Sequence, residues 1–225
     1  LQKVEQSTHV PARGGGKAKL IGSGDYGLPE FFCLPHCWHE KRYAAAMPDD
    51  TPTIGLRVVE SLAGVDAAQW DACALAPGSA GNPFLSHGFL KALEDSKSVG
   101  RRTGWQPQYL LAESDDGTLQ GCAPLYVKGH SQGEYVFDHS WADAWARAGG
   151  SYYPKLQISA PFTPATGPRL LLGDRPVLAI PLLRAAEQLC NSNGLSSAHA
   201  TFIEPGQLPL FEQAGWLPRS DIQFH

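Results

Sequence analysis

The alternation of hydrophobic and polar positions becomes regular after residue 52 and continues to the end of the chain. Short β-branched and apolar runs predict strands over residues 53–60, 108–113, 119–128, 134–138, 155–160, 197–204 and 216–224. Apolar residues at helical spacing predict helices over residues 66–76, 82–93, 141–148, 182–192 and 208–214. Strands and helices that alternate in this way indicate one α/β (α+β) domain, with a mixed sheet flanked by helices.

Turn and breaker residues indicate where several of these elements end. Asp116-Gly117 supplies the positive φ angles of a tight hairpin turn between the second and third predicted strands. Pro124 lies inside the third predicted strand and has no N–H for a ladder, which favours an edge or a bulge there. Asn82, placed before Pro83, is predicted to cap the second helix.

The first 46 residues differ from the rest of the chain in charge and pattern. They carry six basic and four acidic residues, whereas residues 47–225 carry 12 and 18. The only methionine, Met47, is followed by a short stretch rich in proline and aspartate. We therefore expect residues 1–52 to be a leader that is disordered or not native to the domain, and residues 53–225 to form the domain.

Three motifs in this leader resemble ligand sites. Residues 22–27 match the GxGxxG pattern of dinucleotide sites, and residues 13–18 fit the loose pyrophosphate loop of coenzyme A-dependent acetyltransferases. The first has no clean strand before it and prolines where a helix should begin, and the second lies at the wrong end of the chain for such a loop. Four zinc-type ligands lie close together at Cys33, His36, Cys37 and His39. A second, separated ligand pair is missing, so we predict no metal site, and the sequence identifies no cofactor.

Composition narrows the possible functions. The 225 residues include 18 Lys+Arg and 22 Asp+Glu, and the resulting net charge of -4 implies no DNA partner. No apolar run approaches the roughly 18 to 20 residues that span a bilayer. The five scattered cysteines and the absence of a signal-like N-terminus favour a soluble protein of a reducing compartment, and we predict a cytoplasmic location.

Two stretches contain candidate chemistry. On the strand predicted over residues 134–138, Glu134 and Asp138 share a face and lie roughly 13 Å apart. Alternatively, Asp138 or Ser140 caps the following helix. The second stretch is the proline-rich loop 161–169, whose hydroxyls and Arg169 are suited to hold a carboxylate or phosphate, although a purely structural loop fits equally well.

Several segments together resemble one bacterial family labelled peptidoglycan biosynthesis/recognition, which is related to FemAB aminoacyltransferases and GNAT N-acyltransferases. The segments that carry the resemblance are 82–87, 133–138, 141–144, 152–155, 161–164 and 166–169. It extends from about Arg57 to the chain end and implies a GNAT-like fold. Members of the family continue into a second similar domain, so this chain resembles a truncated member that holds the first.

The resemblance implies an N-acyltransferase that moves an acyl or aminoacyl group to an amine, with a cell-wall precursor as acceptor and acyl-CoA or aminoacyl-tRNA as donor. Such a reaction needs a base and stabilisation of an oxyanion. Asp138 or Glu134 is the expected base and Tyr135 the proton donor. The expected substrate-binding residues are His87, Trp141, Tyr153, Lys155, Thr163, Thr166 and Arg169. The alternative is a non-catalytic module that recognises cell-wall precursors, or an inactive fragment.

Overall fold

A computed structural model describes residues 6–11, 43–44, 54–75, 81–132, 134–135 and 138–220. The strands are β1 (Gln6–Pro11), β2 (Tyr43–Ala44), β3 (Ile54–Val59), β4 (Trp105–Pro107), β5 (Tyr109–Ser114), β6 (Leu119–Ala123), β7 (Leu125–Lys128), β8 (Lys155–Ile158), β9 (Ser197–Ala200) and β10 (Leu217–Ser220). The α-helices are α1 (Ala67–Ala74), α2 (His87–Asp95), α3 (His139–Arg147), α4 (Ala179–Ser192) and α5 (Leu208–Gln213). The predicted mixed α/β class is confirmed.

The strands form two sheets. The larger has the order β10-β1-β9-β8-β7-β4, and the smaller has the order β2-β3-β5-β6. Strands β8 and β9 run parallel, and the helix α4 lies between them in sequence. Among the described strand pairs the others are antiparallel. A parallel pair needs such a crossover, which explains why a long apolar helix separates two short apolar strands.

Pro124 divides the second arm of the hairpin between the two sheets. β6 pairs with β5 in the smaller sheet, whereas β7, which begins one residue after Pro124, pairs with β8 in the larger sheet. The carbonyl oxygen of Pro124 accepts a bond from Ser159 N at 3.1 Å. Pro124 therefore lies where the chain passes from one sheet to the other. The sequence predicted an edge or a bulge at this position, because proline has no N–H to donate to the ladder.

A large apolar cluster packs one face of the larger sheet against α4 and α5. Its sheet residues include Leu125, Leu156 and Ala198, and α4 contributes Leu182 and Leu183. A second cluster packs α1 and α2 against the smaller sheet, around aromatic residues. The opposite face of the larger sheet, away from α4 and α5, carries the polar residues described below.

Two local predictions are wrong. Helix α2 begins at His87, where Ser86 accepts a bond from Phe89 N, and Asn82 instead caps a short 3-10 turn over Pro83–Leu85. The strand predicted over residues 134–138 is absent at the described positions 134, 135 and 138. The two acidic side chains there contact the buried lysines Lys128 and Lys155.

Two segments of the expected leader are strands. β1 pairs with both β9 and β10, and β2 pairs with β3. These segments differ from an unstructured leader, while the glycine motifs and the Cys/His cluster lie outside the described residues. The division at residue 52 stays a prediction, and a chain beginning at Met47 that keeps its melting temperature would support it. A fall of many degrees would contradict it.

Candidate functional site

One face of the larger sheet carries a row of buried polar side chains. Paired residues of neighbouring strands share a face, and the face alternates along each strand. The register therefore sets Lys128 of β7 beside Lys155 of β8, Tyr126 beside Gln157, and Gln157 beside His199 of β9. All five side chains are buried. Buried lysines and amides of this kind are costly unless they are paired, so the residues that pair with them define the site.

The carboxylate of Asp138 pairs with Lys155. It accepts bonds from Lys155 Nζ at 2.5 Å, Ser131 Oγ at 2.9 Å and Tyr153 OH at 3.0 Å. Burial by itself would raise the pKa of the Asp138 carboxyl, but Lys155 and the two hydroxyls outweigh it and hold the pKa below its ordinary value. The carboxylate is therefore ionised at neutral pH and is a weak base.

The carboxylate of Glu134 pairs with Lys128 in the same cluster. Lys128 Nζ lies 2.6 Å from Glu134 Oε1 and 3.1 Å from the centre of the Trp105 ring. Gln157 Nε2 donates to Glu134 Oε2 at 3.0 Å. Burial lowers the pKa of Lys128 to about 8, although Glu134 opposes the shift. The ammonium of Lys128 is thus close to the point at which it loses its proton at physiological pH.

Four of the predicted site residues, Glu134, Asp138, Tyr153 and Lys155, therefore meet in one place. Together with Lys128 they form what we call the lysine–carboxylate cluster. They come together although the predicted strand is missing, because both carboxylates reach lysines on β7 and β8. Asp138 lies at the N-cap position of α3, yet its side chain makes no capping bond, so a capping role for Asp138 is wrong.

Other predicted residues lie around the cluster or away from it. Tyr135 follows Glu134 directly and is 54% exposed. Trp141, on α3, is 52% exposed, and the guanidinium of Arg219 lies 5.2 Å from its ring centre. His87 lies at the start of α2, where its Nε2 is 3.2 Å from the carbonyl oxygen of Leu62.

The proline-rich loop reaches the cluster through Phe162. The Phe162 ring centre lies 5.1 Å from that of Trp105, whose ring is also in contact with Lys128. Phe162 has a φ of 57°, in the left-handed region that a bulky side chain rarely adopts. In the same loop Thr163 Oγ1 donates to the carbonyl oxygen of Pro161 at 3.0 Å, and Thr166 is exposed.

Arg169 braces this loop from inside. Its guanidinium is buried and donates to the carbonyl oxygens of Thr201 at 2.5 Å, Ala165 at 2.7 Å and Pro168 at 3.1 Å. Burial lowers the pKa of Arg169 to about 9, with Glu204 opposing the shift. These bonds occupy each of the three guanidinium nitrogens.

The structure separates Arg169 from Asp138 along the sheet. Thr201, which binds Arg169, follows the C-terminal end of β9, whereas Lys155, which binds Asp138, is the first residue of β8. Because β8 and β9 are parallel, these points lie at opposite ends of the strand pair. A role for Arg169 in ligand binding stays a prediction.

Sequence reasoning missed Lys128, Trp105 and Gln157. A signal for Lys128 existed, since it alternates in phase with Tyr126 along a short apolar strand and so shares a buried face. Gln157 follows Lys155 in the same phase on β8. Trp105 gave no comparable signal, because its contact with Lys128 depends on the pairing of β4 with β7.

Metal binding is not indicated in the part of the chain that the structure describes, where no three His, Cys, Asp or Glu side chains come together as ligands. The same residues include no helix that is long and apolar enough to cross a membrane.

A comparison with known families gives a match over most of the chain. A model of the FemAB-like family, described as peptidoglycan biosynthesis/recognition, matches residues 61–225. The match includes both ion pairs of the lysine–carboxylate cluster and the proline-rich loop. No curated protein matches the chain.

Proposed function

Because the chain belongs to the FemAB-like family of peptidoglycan biosynthesis/recognition, we propose that it is an N-acyltransferase that moves an acyl or aminoacyl group to an amine of a peptidoglycan precursor. The observation that carries the proposal is the pair of buried lysine–carboxylate contacts, Lys128–Glu134 and Lys155–Asp138, on the polar face of the larger sheet. Charged groups are rarely buried in this density without a function or a strong structural need.

The reaction requires an amine that has lost its proton. The amine nitrogen attacks the acyl carbonyl carbon, a C–N bond forms, and the bond from that carbon to the donor oxygen or sulfur breaks. Glu134 takes the proton released by the amine, and Tyr135, exposed beside it, donates a proton to the leaving group. The lowered pKa of Asp138 makes it a poor proton acceptor, so it orients Tyr153 and Lys155 instead.

The cluster favours no particular donor. It contains two lysines and two carboxylates in matched pairs, so it offers no surplus positive charge to the pyrophosphate of coenzyme A. The net charge of -4 likewise offers no broad basic surface for a tRNA. Acyl-CoA and aminoacyl-tRNA therefore both enter the assay. A cytoplasmic location fits such donors and the three free cysteines of the described residues.

A non-catalytic recognition module is the second candidate. The observation that favours it is the same matched pairing, because each lysine is already neutralised by its own carboxylate. Ion pairs of this kind can serve to fix one arrangement of a polar core without reacting. Binding of a precursor without transfer distinguishes this candidate from an enzyme.

The test measures transfer of a radiolabelled acyl or aminoacyl group to a precursor peptide with a free amine, from each donor in turn. Tyr135→Phe removes one exposed hydroxyl and Glu134→Gln removes the proposed base, and each should lower the rate at least about tenfold, or roughly 1.4 kcal/mol. Asp95→Asn, at the exposed end of a surface ion pair with Lys91, is the matched control and should not change the rate.

The outcomes separate the two candidates. If neither Tyr135→Phe nor Glu134→Gln changes the rate of transfer, the assignment of Glu134 as base and of Tyr135 as proton donor is wrong. A wild-type chain that binds the precursor peptide and transfers neither group would support the recognition module. Melting temperatures of both variants are measured alongside, so that a loss of rate is compared only between folded proteins.

A further inference from the structure

Gln157 on β8 is a buried amide with only one of its two ends bonded. The residue has no exposed surface. Its Nε2 donates to Glu134 Oε2 at 3.0 Å and to Ser159 Oγ at 3.3 Å, whereas its Oε1 accepts no hydrogen bond from the described residues. Buried side-chain polar atoms in proteins mostly have a partner, because an unbonded one keeps the full cost of its removal from water. The unbonded Oε1 is therefore a candidate contact for a ligand.

The neighbours of Gln157 determine which end of its amide is unbonded. A rotation of the amide by 180° would place Oε1 against Glu134 Oε2, and two oxygens that can only accept do not bond each other. The present orientation is the one that gives the carboxylate a donor. The unbonded atom is consequently the oxygen, and the group that would complete the site is a hydrogen-bond donor.

The other two buried glutamines of the described residues differ from Gln157. Gln207 has both ends bonded: its Oε1 accepts from Arg169 N and Leu170 N, at 2.7 and 3.1 Å, and its Nε2 donates to the carbonyl oxygen of Leu170 at 2.6 Å. Such an amide is purely structural. Gln108 has no partner at either end, so nothing fixes its orientation and it indicates no ligand chemistry. Only Gln157 combines a fixed orientation, an unbonded acceptor and a neighbouring carboxylate.

Two acceptor oxygens therefore lie side by side. Because Gln157 Nε2 bonds Glu134 Oε2 and Gln157 Oε1 belongs to the same planar amide, ordinary hydrogen-bond lengths put the two oxygens roughly 4–5 Å apart. One nitrogen that carries at least two hydrogens can bond both oxygens across such a separation. A primary amine has these hydrogens, whereas a hydroxyl has one and a carboxylate has none. The charge of the carboxylate further favours an amine over a neutral amide. Lys128 contacts the other carboxylate oxygen, Oε1, at 2.6 Å, so Oε2 keeps room for a second donor.

We propose that Gln157 Oε1 and Glu134 Oε2 together bind the primary amine that accepts the acyl group. This inference rests on the proposed function, in which Glu134 is the base. The two hydrogen bonds hold the amine nitrogen beside the carboxylate that takes its proton. The nearby ammonium of Lys128 disfavours a second positive charge and so favours the neutral, nucleophilic amine. The amine approaches from the side of Tyr135, which follows Glu134 and is 54% exposed.

The test compares two probes that differ in their N–H groups. Nα-acetyl-lysine methylamide carries a primary amine, and its Nε-trimethyl form keeps a positive charge but has no N–H at that nitrogen. Binding of each probe to the full chain is measured by isothermal titration calorimetry at neutral pH, without an acyl donor. We expect the wild-type chain to bind the primary amine at least about tenfold more tightly. In ¹H–¹⁵N spectra, the side-chain amide signal that Gln157→Met removes should shift with the primary amine and not with the trimethyl probe.

Variants assign the preference to Gln157. Gln157→Met keeps the length of the side chain and removes its acceptor, so it should lower the preference for the primary amine at least about fivefold. Ser159→Ala is the matched control, because it removes the other contact of Nε2 and leaves Oε1 in place. We expect it to keep the wild-type preference. The comparison of the two probes on the wild-type chain needs no substitution, so that result holds even if a variant fails to fold.

Three results would overturn the proposal. They are equal affinity of the wild-type chain for the two probes, no binding of the primary amine, and a Gln157→Met chain that weakens both probes equally. In the last case Gln157 would act only by holding Glu134. Binding that depends on Gln157 without any acyl transfer would support the amine site and reject the transferase. Transfer to the precursor peptide without a preference that depends on Gln157 would reject the amine site alone.

Discussion

Asp138→Asn tests whether the Asp138–Lys155 pair holds the structure together. The change keeps the size and shape of the side chain and removes one charge. Both partners are buried, at 4% and 3% exposure, so the variant leaves the Lys155 ammonium without a counter-charge in the interior. Removing one partner of a buried ion pair typically costs about 3–5 kcal/mol. We expect the free energy of unfolding to fall by about that amount.

The same pair predicts a dependence on acid. The folded-state pKa of Asp138 lies below its ordinary value of 3.8, so its stabilising contribution is present above that pH and is lost as pH falls through the lower folded-state pKa. Asp138→Asn should therefore lower stability most at neutral pH, and the difference from wild type should shrink in acid.

Urea unfolding at neutral pH and in acid, followed by circular dichroism, measures both effects. Lys155→Met and the double variant Asp138→Asn/Lys155→Met complete a cycle, and we expect the double variant to recover part of the loss because it buries no unpaired charge. Asp95→Asn, in the exposed pair with Lys91, is the control and should cost no more than about 0.5 kcal/mol. A loss below about 1 kcal/mol for Asp138→Asn at neutral pH, as expected of a simple helix cap, would refute the reasoning.

Two further predictions concern Lys128 and Arg169. Because the folded-state pKa of Lys128 is about 8 against an ordinary 10.5, wild-type stability should rise with pH between these values, and Lys128→Met should abolish the rise in urea titrations. Arg169→Ala leaves three carbonyl oxygens without their donor, two of them on the loop itself, and should lower the free energy of unfolding by roughly 3 kcal/mol or more. Arg169→Lys keeps the charge but cannot donate to all three carbonyl oxygens in the same geometry, so it should recover only part of the lost stability. Full recovery would contradict the role of the three guanidinium hydrogen bonds in holding the loop.

The regular elements were predictable because their signals are local. The strand near residue 54, the helix around Trp70, the Asp116-Gly117 turn and the long helix α4 all follow from apolar spacing and turn residues. The boundary of α2 was misplaced because Asn82 and Ser86 are both good caps, four residues apart, and only packing chooses between them.

The site was only partly predictable because it depends on pairing between distant strands. Glu134 and Asp138 were recognised as candidates, but their partner lysines are set by the register of β7 with β8. That register cannot be read from the acidic segment alone, and the alternation expected there was that of a strand. Arg169 was expected to bind a ligand because an arginine in such a loop suits an anion. Its guanidinium instead donates to two carbonyl oxygens of its own loop and to that of Thr201, a distant partner that the sequence does not reveal.

The change of sheet at Pro124 has a consequence for insertions and deletions in this part of the chain. Alternation continues unbroken through the proline: Ala123 and Leu125 belong to one apolar cluster, whereas Cys122 and Tyr126 belong to the other. Deleting a single residue here would move every following side chain of β7 to the opposite face of the sheet. The Lys128 ammonium would then point towards Leu156 and α4. Deleting two residues would keep each side chain on its present face. Whether the polar residues of β7 face the site therefore depends on an even or odd number of residues next to Pro124, as well as on the identity of those residues.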